Sequence, residues 1–191
     1  MSSYKYVRLP LPGDYIRLLC LLPNKSEKDE PLHCKLHNYS LQKSSPRTHR
    51  YEALSYVWGD SHERLPIYVD GDQLLITRNL YAALLRLRDH SFERMVWIDA
   101  ICIDQENPEE RGRQVQLMAK IYSNALCVIV WLGEDVEGTN GALEDIRRAA
   151  NEELIEPSRK EMSLQAILRL LQRPWFQRIW VSNKCLAIVT R

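Results

Sequence analysis

Two clusters of polar and aromatic residues carry side chains that could bind a ligand. The first cluster, Asp99, Asp104 and Gln105, follows the apolar run MVWID at 95–99. A crevice lined by hydroxyl, aromatic and carboxylate groups suits a nucleotide-like ligand, which offers rings for stacking and ribose hydroxyls for hydrogen bonds. The second cluster ends the apolar segment EALSYVW and consists of Ser55, Tyr56, Trp58, Gly59 and Asp60.

The two clusters form such a crevice only if the runs that precede them are neighbouring strands. Open α/β sheets bind ligands outside the carboxyl ends of their strands, where both clusters are predicted to lie. We therefore expect Asp99, Asp104 and Gln105 to lie within side-chain reach of Tyr56 or Trp58.

Ordinary turn chemistry explains the same residues without a ligand. Asp99 can end a strand and Asp104 can form an Asx turn, and for this cluster the two interpretations have equal support. Ile101 and Ile103 predict that the loop between the two acids is partly buried. A buried carboxylate needs a hydrogen-bond donor, and Arg111 and Arg113 are near in the sequence. In the second cluster, the tyrosine and the tryptophan can also be core aromatics that precede a turn.

The segment Asn107-Pro108-Glu109-Glu110 has the composition of a helix start. Asn107 can cap the helix, Pro108 suits its first position, and Glu110 at the third position can close a capping box. This structural role explains both glutamates without a ligand, since acids are also favoured at the positive end of the helix dipole.

Strands alternate with helices from residue 52 onward, which predicts an α/β domain with a mostly parallel sheet flanked by helices. Residues 1–50 are predicted to be a β-rich extension of that domain, and 51–191 its core. On the helix at 108–123 we expect one side to carry Val115, Met118, Ile121, Tyr122 and Ala125. The predicted strands are 15–22, 32–41, 52–58, 67–77 (a hairpin that turns at Asp70-Gly71), 95–99, 127–132 and 185–190, and the other helices are 79–89, 141–154 and 162–172.

Composition excludes several classes of protein. The 26 basic and 25 acidic residues nearly cancel, which disfavours a nucleic-acid partner. No apolar run approaches the ~18 residues that a membrane span needs, and the N-terminus lacks a secretory apolar region. Five scattered cysteines indicate reduced thiols and a cytoplasmic protein. A metal site at His33, Cys34 and His37 is disfavoured because no second pair of ligands follows.

Several segments, in this order, resemble the HET domain of fungal heterokaryon-incompatibility proteins. The resemblance extends from about Tyr15 to Val181. It implies a role in self/non-self recognition and programmed cell death when genetically different hyphae fuse, a form of fungal innate immunity. The segments are YEALSYVWGD at 51–60, IYVDGDQLLIT at 67–77 with NLYAALLRLR behind it, WIDAICIDQ at 97–105, ERGRQVQLMAKIYSNALCVIVWLG at 110–133 and RPWFQRIWV at 173–181.

HET domains are thought to be related to TIR domains, so the resemblance implies a flavodoxin-like fold, self-assembly and protein partners. Many TIR domains also cleave nicotinamide from NAD, which makes NAD a candidate substrate and leaves no bound cofactor expected. In this comparison ALSYVWGD matches the first TIR strand with its loop, and CVIVWLG matches the third. WID with AICIDQENPE matches the second strand and the mobile loop that regulates access to the pocket.

The resemblance also places a glutamate in the pocket, four residues after a tryptophan. Here the segment reads Trp180-Val181-Ser182-Asn183-Lys184, so a lysine stands at the expected glutamate and only Glu110 is left as a nearby acid. A cation has the wrong sign to stabilise a cationic ribosyl centre. We therefore expect negligible NAD hydrolysis, with an active NAD glycohydrolase and a C-terminally truncated, inactive fragment as the alternatives.

Overall fold

A computed structural model of the chain describes residues 3–24, 30–42, 51–134, 148, 167–177 and 186–189. One sheet, three named helices and a helical segment at 167–171 organise this part. The helices are α1 (Arg78–Leu87), α2 (Asp99–Cys102) and α3 (Pro108–Asn124), followed by a 3-10 helix at Pro174–Gln177. The strands are β1 (Tyr15–Leu21), β2 (His33–Ser40), β3 (Glu52–Tyr56), β4 (Arg64–Val69), β5 (Asp72–Thr77), β6 (Arg94–Trp97), β7 (Val128–Trp131) and β8 (Leu186–Val189).

The eight strands form one sheet in the order β5-β4-β2-β1-β6-β3-β7-β8. The block β6-β3-β7-β8 is parallel throughout, as predicted for the strands at 52–58, 95–99 and 127–132. The α/β class is therefore confirmed. The sheet as a whole is mixed, because β1 pairs antiparallel with both β2 and β6 and the hairpin β4–β5 is antiparallel. The prediction of a mostly parallel sheet did not foresee that the first fifty residues supply two of its internal strands.

Apolar composition indicates which strands are covered on both faces of the sheet. Every residue of β7 is buried, and so is β1 from Ile16 to Leu21. The strand β2 instead alternates between buried and exposed positions at its start. At the turn between β4 and β5, Asp70 and Gly71 have φ values of 51° and 92°, the positive pair of a type I′ hairpin, which confirms the predicted turn.

The helix α3 packs on the sheet mostly through the expected face, because Ile121 and Ala125 are buried and Met118 and Tyr122 pack against the core. Val115 is 55% exposed, whereas Glu110, Gln114 and Ile121 are buried. Polar contacts to β1 add to this face, among them a hydrogen bond of 2.8 Å from Gln114 Nε2 to the carbonyl of Tyr15. The expected position of Val115 was therefore wrong, although Ile121 and Ala125 are buried as expected.

The boundaries of some predicted strands and helices differ from those in the structure or are only partly described. The strand predicted at 95–99 ends at Trp97, and Asp99 already begins α2. Of the helix predicted at 141–154 only residue 148 is described, and it is helical, whereas of the helix predicted at 162–172 the structure describes 167–172, with 167–171 helical as expected. In the part of the chain that is described, no helix has the length and apolarity needed to cross a membrane.

Candidate functional site

The two predicted clusters meet at the carboxyl ends of β3 and β6. The indole Nε1 of Trp58 donates a hydrogen bond of 3.0 Å to Oδ2 of Asp99. Trp58 is 44% exposed, so the pair lies at the surface, where a ligand or a partner could reach the ring. The expected proximity is therefore confirmed for Asp99, while proximity of Asp104 and Gln105 to this ring, and ligand binding by the clusters, stay predictions.

Asp99 and Gln105 fix the shape of the loop that follows β6. The other carboxylate oxygen of Asp99 accepts from the backbone N–H of Ala100 at 2.8 Å. Gln105 Nε2 donates to the backbone carbonyl of Asp99 at 2.8 Å. Asp104 forms the turn expected of it, since its Oδ1 accepts from the N–H of Glu106 at 3.2 Å. The acids and the amide thus serve the loop structure as well as its exposed surface.

The inward-facing acid of this region is Glu110, and its donor is Arg17 on β1. The guanidinium binds both carboxylate oxygens, at 2.5 and 2.9 Å, and both side chains are almost completely buried. The two arginines that the sequence suggested as donors, Arg111 and Arg113, do not bind this carboxylate. Arg111 is exposed, and Arg113 pairs at 3.3 Å with the exposed Glu109. A charged residue within the apolar run YIRLLCLL was the sequence signal that could have identified Arg17.

The predicted capping box is half confirmed. The side chain of Asn107 accepts from the N–H of Glu110 at 3.1 Å, and Pro108 is the first helical residue. Glu110 does not return the bond to Asn107, because its Oε1 accepts from the N–H of Asp104 at 2.9 Å instead. The carboxylate is drawn away from the cap and toward the loop by the buried arginine.

Burial and pairing act in opposite directions on the titration of this ion pair. Burial opposes ionisation of Glu110, but the hydrogen bonds from Arg17 and the N–H of Asp104 outweigh it, and the pKa of Glu110 lies below its ordinary value. Burial likewise disfavours the charged guanidinium, yet the bonds to Glu110 leave the pKa of Arg17 raised. Both groups are therefore ionised at neutral pH, and Glu110 has no proton to donate to a substrate.

The thiol within the loop is structural. Cys102 is fully buried, and its Sγ accepts from the N–H of Ile98 at 3.4 Å. Burial raises the pKa of this thiol to about 12, so it remains protonated and is a poor nucleophile. The position of a cysteine between strand and helix is thus explained by packing.

The first two residues of the second cluster are held within the fold, and the last three are exposed. Tyr56 is 2% exposed, and Ser55 Oγ accepts from Trp175 Nε1 at 3.0 Å. Gly59 is required by its backbone, since its φ is +76° and an added Cβ would lie 3.1 Å from Cβ of Asn79. Trp58 and Asp60 are the members of the cluster that present polar atoms to solvent.

Asn79, at the start of α1, anchors the loop after β3. Its Nδ2 donates to the carbonyl of Val57 at 2.6 Å, and its Oδ1 accepts from Trp131 Nε1 at 2.9 Å. One amide thereby joins the ends of β3 and β7. The sequence presented this residue only as a helix start, because nothing local indicates that an asparagine reaches across the sheet.

A cavity of about 210 Å³ lies beside these anchored loops, next to the ends of β3 and β7. This is smaller than the ~300–1,000 Å³ of ordinary ligand pockets. Trp58 and Asp99 do not line it. The lining residues are Asp60, Glu63, Arg78, Asn79, Ala82 and Glu134.

The remaining candidate residues are those of the expected NAD pocket and of a possible metal site. Trp180 and Lys184 lie outside the described residues. Across the ranges that the structure covers, no cluster of three or more His, Cys, Asp or Glu side chains could hold a metal ion. His33 and Cys34 are adjacent on β2, where the thiol is buried and the imidazole stacks on Tyr68.

Comparison with known proteins places these loops within a recognised domain. The family model described as "Heterokaryon incompatibility protein (HET)" matches residues 51–183. The chain is also 37% identical over 165 residues to "Heterokaryon incompatibility protein 6, OR allele" of Neurospora crassa, in an alignment that covers 80% of this chain. The alignment covers 24% of that relative, so the chain spans about a quarter of its length. No solved structure matches the chain at a significant level.

Proposed function

Because this chain belongs to the heterokaryon incompatibility (HET) family, we propose that it acts in fungal self/non-self recognition and cell-death signalling. The observation that carries the proposal is the family match over 51–183, which contains both loops joined by Trp58 and Asp99. The working surface is then the exposed crevice at these strand ends, together with protein partners and further copies of the chain. We place this activity in the cytoplasm, without nucleic acid or membrane as a partner.

A TIR-like, flavodoxin-like core is part of this proposal. Counted along the chain, the parallel block β3, β6, β7, β8 has the spatial order 2-1-3-4. Flavodoxin-like sheets begin with the same order, and they bind ligands where the strand order reverses, beside the first and third strands. The cavity that Asp60 lines lies at the corresponding ends of β3 and β7, which supports this comparison.

Hydrolysis of NAD by this chain is expected to be negligible, and two observations support that expectation. Lys184 stands where the resemblance places a pocket glutamate. Glu110, the other candidate acid, is held by Arg17 in the interior and is 3% exposed. Loss of one well-placed electrostatic group costs about 100- to 1000-fold in rate, and a cation in its place raises the barrier further.

Induced expression in a fungal host tests the signalling role. Hyphae that make the chain should lose viability, counted with a vital dye, at a dose that leaves Asp99→Ala hyphae viable. Glu109→Ala is the matched control, because Glu109 is an exposed acid on the neighbouring helix turn and should leave killing intact. Viable hyphae despite full-length, folded protein would overturn the role.

Purified protein tests the enzymatic alternative. NAD consumption should be at background for the unmodified chain, and Lys184→Glu should raise it if Lys184 occupies the catalytic position. Robust turnover that is lost in Glu110→Gln but kept in Lys184→Ala would instead show that the active acid is Glu110. Cell death with background NAD turnover would favour signalling by assembly, whereas absence of both would favour the inactive-fragment alternative.

A further inference from the structure

The loop that carries Asp99 is held from inside the protein by one buried arginine. Arg17 is 2% exposed and donates four hydrogen bonds. Two go to Glu110 on α3, one goes at 3.1 Å to the carbonyl of Cys102, and one goes at 2.7 Å to the carbonyl of Val7. One guanidinium thus ties together β1, α3, the loop after β6 and the N-terminal segment.

Glu110 attaches the same ion pair to the loop a second time. Its Oε1 accepts from the N–H of Asp104 at 2.9 Å, two residues beyond the carbonyl that Arg17 binds. Between these points the N–H of Ile103 donates to the carbonyl of Asp99 at 3.3 Å. The loop backbone is therefore fixed on both sides of Ile103, and Asp99 is fixed relative to it.

The N-terminal segment contributes a third attachment. The ring of Tyr6 lies 4.9 Å from Cζ of Arg17, a cation–π distance. Its hydroxyl donates to the carbonyl of Ile101 at 2.9 Å. Tyr6 and Arg17 both precede the residues 51–183 that the family model matches.

A buried ion pair is a weak source of stability, because desolvation offsets most of its attraction and an apolar pair of similar volume often stabilises a fold as well. An apolar pair, however, could not bind the carbonyl of Cys102 or the N–H of Asp104. The distinctive contribution of Arg17 and Glu110 is thus to the loop backbone.

We propose that Arg17, Glu110 and Tyr6 are positioning residues that hold the loop at 99–107 in the conformation presenting Asp99 to Trp58. Residues that precede the matched segment then control the geometry of the crevice. The consequence for signalling rests on the proposed function, whereas the positioning itself is measurable without it.

Hydrogen exchange of backbone amides, read by mass spectrometry, tests the positioning. The double variant Arg17→Met with Glu110→Leu should exchange at 99–107 at least about tenfold faster than the unmodified chain, because the N–H of Asp104 loses a charged acceptor. The sheet should stay protected.

The matched control is Arg94→Met with Glu52→Leu. This second two-point pair, at 2.5 and 3.0 Å, joins the other end of β6 to β3 and does not contact the loop. Its exchange at 99–107 should match that of the unmodified chain.

Unchanged loop exchange in a folded Arg17→Met, Glu110→Leu chain would overturn the proposal, and so would equal acceleration in the control. Should that double variant not fold, Tyr6→Phe decides, because it removes one hydrogen bond and keeps the ring over Arg17. Faster loop exchange in Tyr6→Phe supports positioning, and unchanged exchange overturns it. Faster exchange with undiminished killing of hyphae would leave positioning intact and overturn the proposed role of the crevice.

Discussion

Trp58 and Asp99 are 41 residues apart in the sequence, and a hydrogen bond of 3.0 Å joins them at the edge of the sheet. The bond links the loops after β3 and β6, two strands that lie side by side and parallel. Its donor is a half-exposed indole, and its acceptor is a carboxylate that also accepts from the backbone N–H of Ala100. The two loops are therefore held in a defined position relative to each other by the chain itself.

A double-mutant cycle should measure this bond. Trp58→Phe and Asp99→Ala should each destabilise the fold, and the double variant should lose less than the sum, with a coupling energy of about 1 kcal/mol. The reason is that either change alone already breaks the bond. Urea unfolding of the four proteins gives the coupling, and strictly additive losses would show that the contact contributes nothing in solution.

Removal of one partner of the buried ion pair should be severe. Arg17→Met should cost about 3–5 kcal/mol, because it leaves the carboxylate of Glu110 buried without its cation. Arg113→Met is the matched control, since its pair with Glu109 is exposed and spaced as (i, i+4) on the helix. That change should cost about 0.5 kcal/mol or less. Chemical denaturation measures the free energy of unfolding of both variants. Equal losses in the two would contradict the burial of the pair between Arg17 and Glu110.

Stability should fall at acidic pH partly through Glu110. Its pKa is lower in the folded chain than in the unfolded one, so the unfolded state takes up the proton first as pH falls. The contribution is complete above about pH 5 and is lost progressively below it, since an unfolded glutamate titrates near 4.3. The unmodified chain should therefore lose unfolding free energy relative to the Arg17→Met, Glu110→Leu variant as the pH falls from 6 to about 3. A constant difference across this range would contradict the lowered pKa.

Alkylation should separate the cysteines of the native protein. Burial raises the pKa of Cys102 and of Cys34 to about 12, so both should react about a thousandfold more slowly than an ordinary thiol. Cys127 is half-exposed and should be labelled before them. Peptide mapping after brief iodoacetamide treatment checks the order, with a denatured sample as the control in which all of these thiols react. Early labelling of Cys102 would mean that the loop opens in solution.

Two glycine substitutions should change stability in opposite directions. Gly59→Ala should destabilise by about 1–2 kcal/mol, because φ at this position is +76° and the new Cβ would press on Asn79. Gly112→Ala, inside α3 with open space around it, should stabilise by about 0.5–1 kcal/mol. Thermal unfolding measures both. A neutral Gly59→Ala would indicate that the loop after β3 adapts easily.

Local patterns were sufficient for the elements that depend on neighbouring residues. The Asp70-Gly71 hairpin, the Asn107 cap and the run at 127–132 each follow from turn geometry, capping or two-sided burial, and all three are present. The proximity of Trp58 and Asp99 was also predictable, because parallel strands end at one edge of the sheet.

Long-range pairing was not predictable from those patterns. Nothing beside Arg17 indicates that its acid lies on α3, and Glu110 is fully explained as a capping residue until β1 is placed next to the loop. The same applies to Asn79, whose partners are on two other strands. Val115 shows the reverse error, because the buried face of α3 includes Glu110 and Gln114, whose polar contacts to β1 the apolar pattern does not indicate, while Val115 is exposed.

The placement of Arg17 has a consequence for the order in which this chain can fold during its synthesis on the ribosome. Its acid lies 93 residues downstream, so β1 emerges long before the group that neutralises its charge. Until α3 has been synthesised, the nascent β1–β2 hairpin carries an uncompensated cation on a strand destined for the interior, which opposes early collapse of that surface. We therefore expect the sheet to be completed only after α3 has been synthesised, when the loops after β3 and β6 are also available.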